Sequence, residues 1–280
     1  MSRIYLALPY SGQEDKSFAQ ANRVAGLLME DGHIVFSPIS HSHSIGVHRN
    51  DWEFWKKQDF AWLDLCDELL VLKNEEWEQS IGVQQEIQFA EDRCIPVRYI
   101  DPMPTLIGLC APYPHAGKST LASNLCDAWN YERMAFADPL SNMLHFVTYP
   151  RRAWNAPKEA PCSALWGHSP RDLKRTLGTE WGRNLVHPDI WLDIMKDRVA
   201  NQDSCYDGVV IDDVRFDNEA QWIKDAGGVL IRLERPEAEG EVALTHASDR
   251  GLTVEPDYVF RVRETPEQTL GMVERRLMGI

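Results

Sequence analysis

Residues 105–120 read TLIGLCAPYPHAGKST. An apolar run gives way to small residues and then to Ala116-Gly117-Lys118-Ser119-Thr120, the second half of the pattern G-x-x-x-x-G-K-[ST]. That pattern sets a strand, a loop and a helix in succession. Backbone N–H groups point at an anion, a lysine reaches the terminal phosphates and a hydroxyl ligates a divalent cation. The first glycine of the pattern falls at position 112, where this chain carries proline. Proline donates no N–H. Both Pro112 and Pro114 precede the expected donors, His115, Ala116, Gly117, Lys118, Ser119 and Thr120, so the change alters the approach to the loop and leaves its donors in place.

Working outward, the chain begins in a similar way, with RIYLALPYSG at 3–12. Apolar periodicity predicts strands at 4–8, 33–36, 68–72 and 96–100, and helices at 18–31, 51–66 and 81–91. After the phosphate loop it predicts a helix from Lys118, a long and mostly helical middle, strands at 208–211 and 229–233 with a helix at 218–226 between them, and a last helix at 266–278. Proline punctuation in PVRYIDPMPT puts a boundary near 101–105, giving domains 1–102 and 103–280. Alternation of this kind implies an α/β protein of two domains. The first has a flavodoxin/Rossmann-like parallel sheet, and ligands collect at the carboxyl ends of the strands.

Charge and cysteine content narrow the function classes. With 43 acidic against 29 basic residues the net charge is −14, which disfavours a nucleic-acid polymer as partner and leaves small anions held in local basic pockets. The six cysteines include no C-x-x-C pair, so neither a zinc knuckle nor a disulfide framework is indicated. No apolar run approaches the roughly 20 residues of a membrane helix. The expectation is a cytoplasmic protein without a membrane partner.

Beyond the loop, Arg171, Lys174 and Arg175 fall at i, i+3 and i+4 on a helix expected to end near Gly178, with Arg183 just after: a phosphate clamp or a solvated basic face. GVVIDDVRFDNEA at 208–220 is an apolar strand ending in Asp212 and Asp213, carboxylates placed for Mg²⁺ or a substrate hydroxyl, or for a strand-end ion pair. Together with FADPL at 136–140, LGTEWGRN at 177–184, GGVLIRLERP at 227–236 and HASD at 246–249, these blocks resemble the viral deoxynucleoside monophosphate kinase family over most of 105–280. The resemblance implies a P-loop nucleoside monophosphate kinase fold and a viral, bacteriophage-type source, hence the host cytoplasm. It further implies ATP and Mg²⁺ at Lys118 and Ser119, an acceptor deoxynucleotide at Thr179, Arg183, Asp213, Arg215 and Glu219, and Trp191 near its base.

In the first domain, Trp52, Trp55, Trp62 and Cys66 make an apolar helical stripe, and Asp59 falls on it. Glu86 borders an apolar face of its own helix, three after Val83 and four before Ala90. Two carboxylates converging on a pocket can do glycosidic chemistry; from spacing alone, a capping acid and a half-exposed acid read equally well. His41 and His43 of SHSHS would share a side if extended, yet no further Cys/His cluster supports a metal, and a loop near a pocket mouth is the preferred reading. IYLALPYS, GHIVFSPI, KKQDFAWLDLCDELLVL, SIGVQQEIQFA and PVRYI resemble the nucleoside 2-deoxyribosyltransferase superfamily, which includes deoxynucleoside monophosphate glycosidases. Ser80, Gly82 and Glu86 carry its most specific element. The resemblance implies Glu86 as nucleophile, Asp59 as partner acid, Tyr5 beside the nucleophile, and Ser80 with Ser11 and Gly12 at the sugar 5′ end or its phosphate. It also implies a homo-oligomer. The combined expectation is a bifunctional enzyme of nucleotide metabolism; the alternative is a kinase carrying a non-catalytic nucleotide-sensing or oligomerisation module.

Overall fold

The computed structural model describes residues 1–45, 52–148, 160–235 and 251–280. The HASD block at 246–249 lies outside them. The chain forms two compact units, Met1–Met103 with Leu270–Ile280, and Pro104–Thr269.

In the first unit β1 (Arg3–Ala7), α1 (Glu14–Glu30), β2 (Ile34–Phe36), the one-turn α2 (Pro38–Ser42), α3 (Trp52–Leu63), β3 (Glu68–Leu72), α4 (Ile81–Asp92) and β4 (Val97–Ile100) follow in order. The sheet runs β2-β1-β3-β4 and every pairing is parallel. Ile4, Tyr5, Leu6 and Ala7 are all fully buried, which is why β1 reads as an unbroken apolar run and not as an alternation. The chain reverses its winding between β1 and β3, so the crevice at their carboxyl ends is where a ligand fits.

In the second unit come β5 (Leu106–Cys110), α5 (Lys118–Trp129), β6 (Tyr131–Met134), α6 (Asp138–Thr148), α7 (Pro170–Arg175), α8 (Ile190–Ala200), β7 (Gly208–Ile211), α9 (Asp217–Asp225), β8 (Val229–Glu234) and β9 (Tyr258–Arg261). Its sheet is parallel in the order β6-β7-β5-β8-β9, so β5 and the loop after it sit at the centre. Gly108 in β5 lies under α9: a Cβ there would come within 2.5 Å of Ile223 Cδ1.

Four features depart from the sequence expectations. The expected helix end near Gly178 is not one: α7 stops at Arg175 and runs on into an eleven-residue π-helix, Thr176–Val186. Its glycines serve close packing instead of termination, since a Cβ on Gly182 would lie 2.5 Å from Trp191 Cζ2 and one on Gly178 would lie 3.0 Å from Leu140. The mostly helical middle contains β6, a sheet-edge strand whose Glu132 and Arg133 disguise it. The final helix, α10 (Pro266–Met278), matches its expected span, yet Leu270–Ile280 groups with the first unit and not with 103–280. Arg275 bonds to Asp31 and Glu30 of α1, and Arg23 of α1 grips the fully buried Glu274 at 2.5–2.7 Å. In α3, Leu63 takes the buried position while Trp62 is 45% exposed and stacks on Phe36.

Candidate functional sites

In the first unit, β1 and α4 bring Tyr5 and Glu86 together: the phenol donates to Glu86 Oε1 at 2.5 Å, both side chains being buried. Asp59 of α3 is 7% exposed and faces the same cavity of about 630 Å³, inside the range of roughly 300–1,000 Å³ usual for small-molecule sites. Trp52 and Trp55 share its wall, two turns and one turn before Asp59 on the same helix face. Ser11, Ser80 and Gly82 line it too, while Gly12 sits in the same loop as Ser11 with φ +87°. Ser80 is the N-cap of α4, its hydroxyl accepting from Val83 N–H, and Gly82 leaves room for the Trp52 ring, 3.4 Å from where a Cβ would be. Trp52 in turn donates its indole N–H to Gln85 Oε1 at 2.9 Å.

Burial pushes Glu86 up to about 8; the Tyr5 hydrogen bond opposes this and the charge of Asp59 adds to it. Burial pushes Asp59 up to about 7. Such a pair passes through a singly ionised form near neutral pH, one carboxylate and one carboxylic acid facing the same cavity. Sequence reasoning missed Glu53, Glu76 and Gln85, which line the cavity, and it missed the setting of the histidines. His41 and His43 are helical, not extended. His43 stacks on Phe18 at 4.2 Å and pairs with the hydroxyl of Tyr10, a residue of the cavity rim.

In the second unit, α5 begins directly behind the loop after β5. Its N-cap is Gly117 at φ +95°, and no side chain among the described residues caps it, so its first-turn amides are open to an anion. His115 also takes a left-handed conformation, φ +61°, a curled backbone that turns successive N–H groups inward, and Ala116 is buried. Ser119 and Thr120 are exposed on the first turn. Lys118 is half-buried and its pKa is lowered, first by burial and then by Arg215, with Asp212 and Asp213 pulling the other way. The carboxyl ends of β5 and β7 thus gather one lysine, one arginine and two aspartates. This donor set fits a nucleotide triphosphate with its cation.

The two aspartates have different partners. Asp212 is 3% exposed and bonds Arg133 of β6 through both oxygens at 2.7–2.9 Å. Asp213 accepts from Phe136 N–H at 2.7 Å and Ala137 N–H at 2.9 Å, tying the FADPL turn to the end of β7. Glu219, 2% exposed, bonds Arg183 at 2.5 Å and accepts from the N–H groups of Arg215 and Phe216. The Arg183 guanidinium lies 3.9 Å from the Phe216 ring centre. Arg183, Arg215 and Glu219 are therefore one connected group. Trp191 is 4% exposed and donates to Gly178 O at 2.7 Å, so it supports the π-helix from behind and offers little surface to a base. Thr179 is half-buried on that π-helix, and Arg171 and Arg175 are half-buried on α7.

A central β5, a curled glycine loop and an uncapped helix start define the second unit as a P-loop α/β nucleotide-binding fold. Residues 162–264 match the family described as Deoxynucleotide monophosphate kinase, and residues 2–101 match Domain of unknown function (DUF1937). A protein of Acanthamoeba polyphaga mimivirus named as a deoxynucleotide monophosphate kinase is 33% identical over 140 residues, 43% of this chain and 69% of that one. The Deoxynucleoside-5'-monophosphate kinase of Escherichia phage T5 is 36% identical over 89 residues, 30% of this chain and 35% of that one. The chain belongs to the deoxynucleotide monophosphate kinase family and is an enzyme. Among solved structures, a 2-deoxyribosyltransferase from Bacillus psychrosaccharolyticus (24% identical, 36% of this chain and 72% of that one, TM-score 0.28) and a sugar kinase from a Janibacter species (14%, 61% and 92%, TM-score 0.29) are similar too weakly to bear on function. Among the described residues no helix is long and apolar enough to cross a membrane.

Proposed function

We propose that this chain is a bifunctional enzyme of deoxynucleotide metabolism. Its second unit moves a phosphoryl group from ATP to a deoxynucleoside monophosphate. Its first unit breaks the bond between a 2′-deoxyribosyl group and its base. The observation that carries the glycosidic activity of the first unit is the Tyr5–Glu86 hydrogen bond, 2.5 Å long and buried, with Asp59 facing the same cavity.

In the kinase reaction Lys118 binds the terminal phosphates, the first-turn amides of α5 hold the phosphate chain, and the Ser119 hydroxyl holds Mg²⁺. The ion, when bound, neutralises charge developing on the transferred group. Arg183 and Arg215, positioned by Glu219, hold the acceptor phosphate, and catalysis comes from placement and charge.

In the glycosidic reaction the Glu86 carboxylate attacks C1′ of the deoxyribose and the C1′–N bond breaks. The departing base takes the proton of Asp59, leaving a deoxyribosyl ester on Glu86. A water O–H, or an N–H of a second base, then attacks C1′, gives its proton to the Asp59 carboxylate and returns the Glu86 carboxylate. Tyr5 O–H favours the ionised form of Glu86, and the reactive species is the arrangement of the singly ionised pair that carries its proton on Asp59.

The test is to incubate the protein with 2′-deoxynucleosides and their monophosphates, with and without ATP and Mg²⁺, and to separate the products. Free base without ATP that disappears in Glu86→Ala, and diphosphate with ATP that disappears in Lys118→Ala, are the expected results. Base release unchanged in Glu86→Ala, or no base from any substrate, refutes the first activity; diphosphate formation unchanged in Lys118→Ala refutes the assignment of the second.

A further inference from the structure

Resting on the kinase reading of the second unit, we infer that Asp213 is a positioning residue: it sets the place of the π-helix that carries Arg183, acting through the turn at 135–138 and Leu140, and does not ligate the cation that accompanies ATP. The FADPL block at 136–140 supplies the first link. Asp213 stands just past the carboxyl end of β7, the strand that pairs with β5 and so adjoins the phosphate loop. Its two oxygens take one amide each, Oδ1 from Phe136 and Oδ2 from Ala137, the two residues directly before α6. Such a fork fixes the plane of the carboxylate and the start of the helix together. It also satisfies N–H groups at a helix start, where intrahelical partners are lacking. The turn is held from its other side by Arg198 of α8, which donates to Ala135 O at 3.1 Å and to Asp138 at 3.0 Å, while Asp138 accepts from Ala135 N–H at 2.9 Å.

The second link runs from α6 to the π-helix. Leu140 is buried and rests on the π-helix backbone at Gly178, where even a Cβ would be crowded at 3.0 Å. Phe136, Leu140 and Trp191 share one apolar cluster, with Leu177 of the π-helix packed against it, and the Trp191 indole N–H donates to Gly178 O. Close packing of this kind transmits a shift instead of absorbing it. Arg183 lies further along the same π-helix, where it grips Glu219. A turn set loose from Asp213 therefore moves the guanidinium relative to the phosphate loop, and misplacement by about 1 Å can cost about 100-fold in rate. Asp212 is engaged as well, with both oxygens on Arg133. The side chain that stands open to the cation is Ser119, exposed on the first turn of α5.

The experiment compares the full chain with Asp213→Asn, Leu140→Ala and the double variant. Asparagine leaves an oxygen for one amide and turns an NH2 group toward the other. Hydrogen exchange of the ligand-free protein is followed on peptides from 135–148 and 176–186. Diphosphate formation gives KM for the deoxynucleoside monophosphate, KM for ATP and the Mg²⁺ midpoint. The inference expects faster exchange in both segments in each single variant and an acceptor KM raised about tenfold, with the ATP KM and the Mg²⁺ midpoint within about twofold of wild type. The double variant should be about as impaired as the poorer single one, because both break one path; additive losses overturn that path. A raised Mg²⁺ midpoint with the acceptor KM unchanged puts Asp213 on the cation and overturns the inference. A raised acceptor KM with exchange at 176–186 unchanged makes Asp213 a direct contact of the acceptor, and overturns it too. If Asp213→Asn does not fold, Leu140→Ala decides alone, by the same acceptor KM and the same exchange. No diphosphate from the wild type overturns the kinase reading and the inference with it, whereas diphosphate from the wild type with neither variant altered overturns the inference only.

Discussion

Replacing Glu86 by glutamine tests the chemistry of the buried pair through stability alone. Folding raises this carboxyl from its ordinary 4.5 to about 8, chiefly because burial penalises the charge. Its folded-state value lies above its unfolded one, so between those pH values the folded chain binds more protons than the unfolded chain. Stability is accordingly full below about 4.5 and is lost as pH rises through about 8. At roughly 1.4 kcal/mol per pH unit the ceiling is about 5 kcal/mol, and relaxation around the charge brings the expected cost at pH 9 to about 2–4 kcal/mol. Glutamine keeps an acceptor for Tyr5 O–H and carries no charge. The variant should therefore match wild type within about 1 kcal/mol at pH 5 and exceed it by about 2–4 kcal/mol at pH 9. Urea titration read by hydrogen exchange on peptides from β1 and α4 reports this unit separately. A variant less stable than wild type at pH 9, or an equal difference at both pH values, would refute the idea that burial of charge governs Glu86.

Other perturbations probe the remaining contacts. If the Glu86–Asp59 pair supplies nucleophile and acid, kcat/KM for base release should be bell-shaped, with limbs set by groups near 7 and 8; a flat profile from pH 6 to 9 contradicts the shared proton. Arg183→Met strands Glu219, 2% exposed, without its cation and should cost about 3–5 kcal/mol by urea unfolding, much of it recovered by adding Glu219→Gln. Gly182→Ala drives a methyl into the Trp191 ring and should cost about 1–3 kcal/mol, read as a lower Tm; an unchanged Tm would mean that the π-helix is not packed on that ring. Arg23→Met removes the Arg23 ion pair from the buried Glu274, and faster hydrogen exchange in α1 and α10 is the expected outcome.

Where the sequence was legible, one kind of residue made it so. Buried parallel strands such as β1, β3 and β5 are uniform apolar runs, and the glycine loop writes its backbone conformation into its composition. Helix α4 was legible for a related reason: Glu86 interrupts an otherwise apolar face, and an acid there is held by a partner, which proved to be Tyr5. What stayed hidden depends on contacts distant in sequence. The strand β6 contains Glu132 and Arg133, and Arg133 is explained only by Asp212, 79 residues later. Gly178 looks like a helix stop, and only Leu140 makes it a packing residue, as Trp191 does for Gly182. Glu53 and Glu76 look like surface acids until the cavity they border is seen.

The grouping of Leu270–Ile280 with the first unit has a consequence during synthesis. Val273 and Met278 are fully buried and Glu274 is clamped by Arg23, so that segment is part of the unit's interior. All of Pro104–Thr269 is translated before it emerges. A ribosome-bound chain carrying only Met1–Met103 displays an α1 with Arg23 and Arg275's partners Glu30 and Asp31 unanswered, and it waits. Completion of the unit made first is timed by the arrival of Leu270–Ile280, made after the whole of Pro104–Thr269.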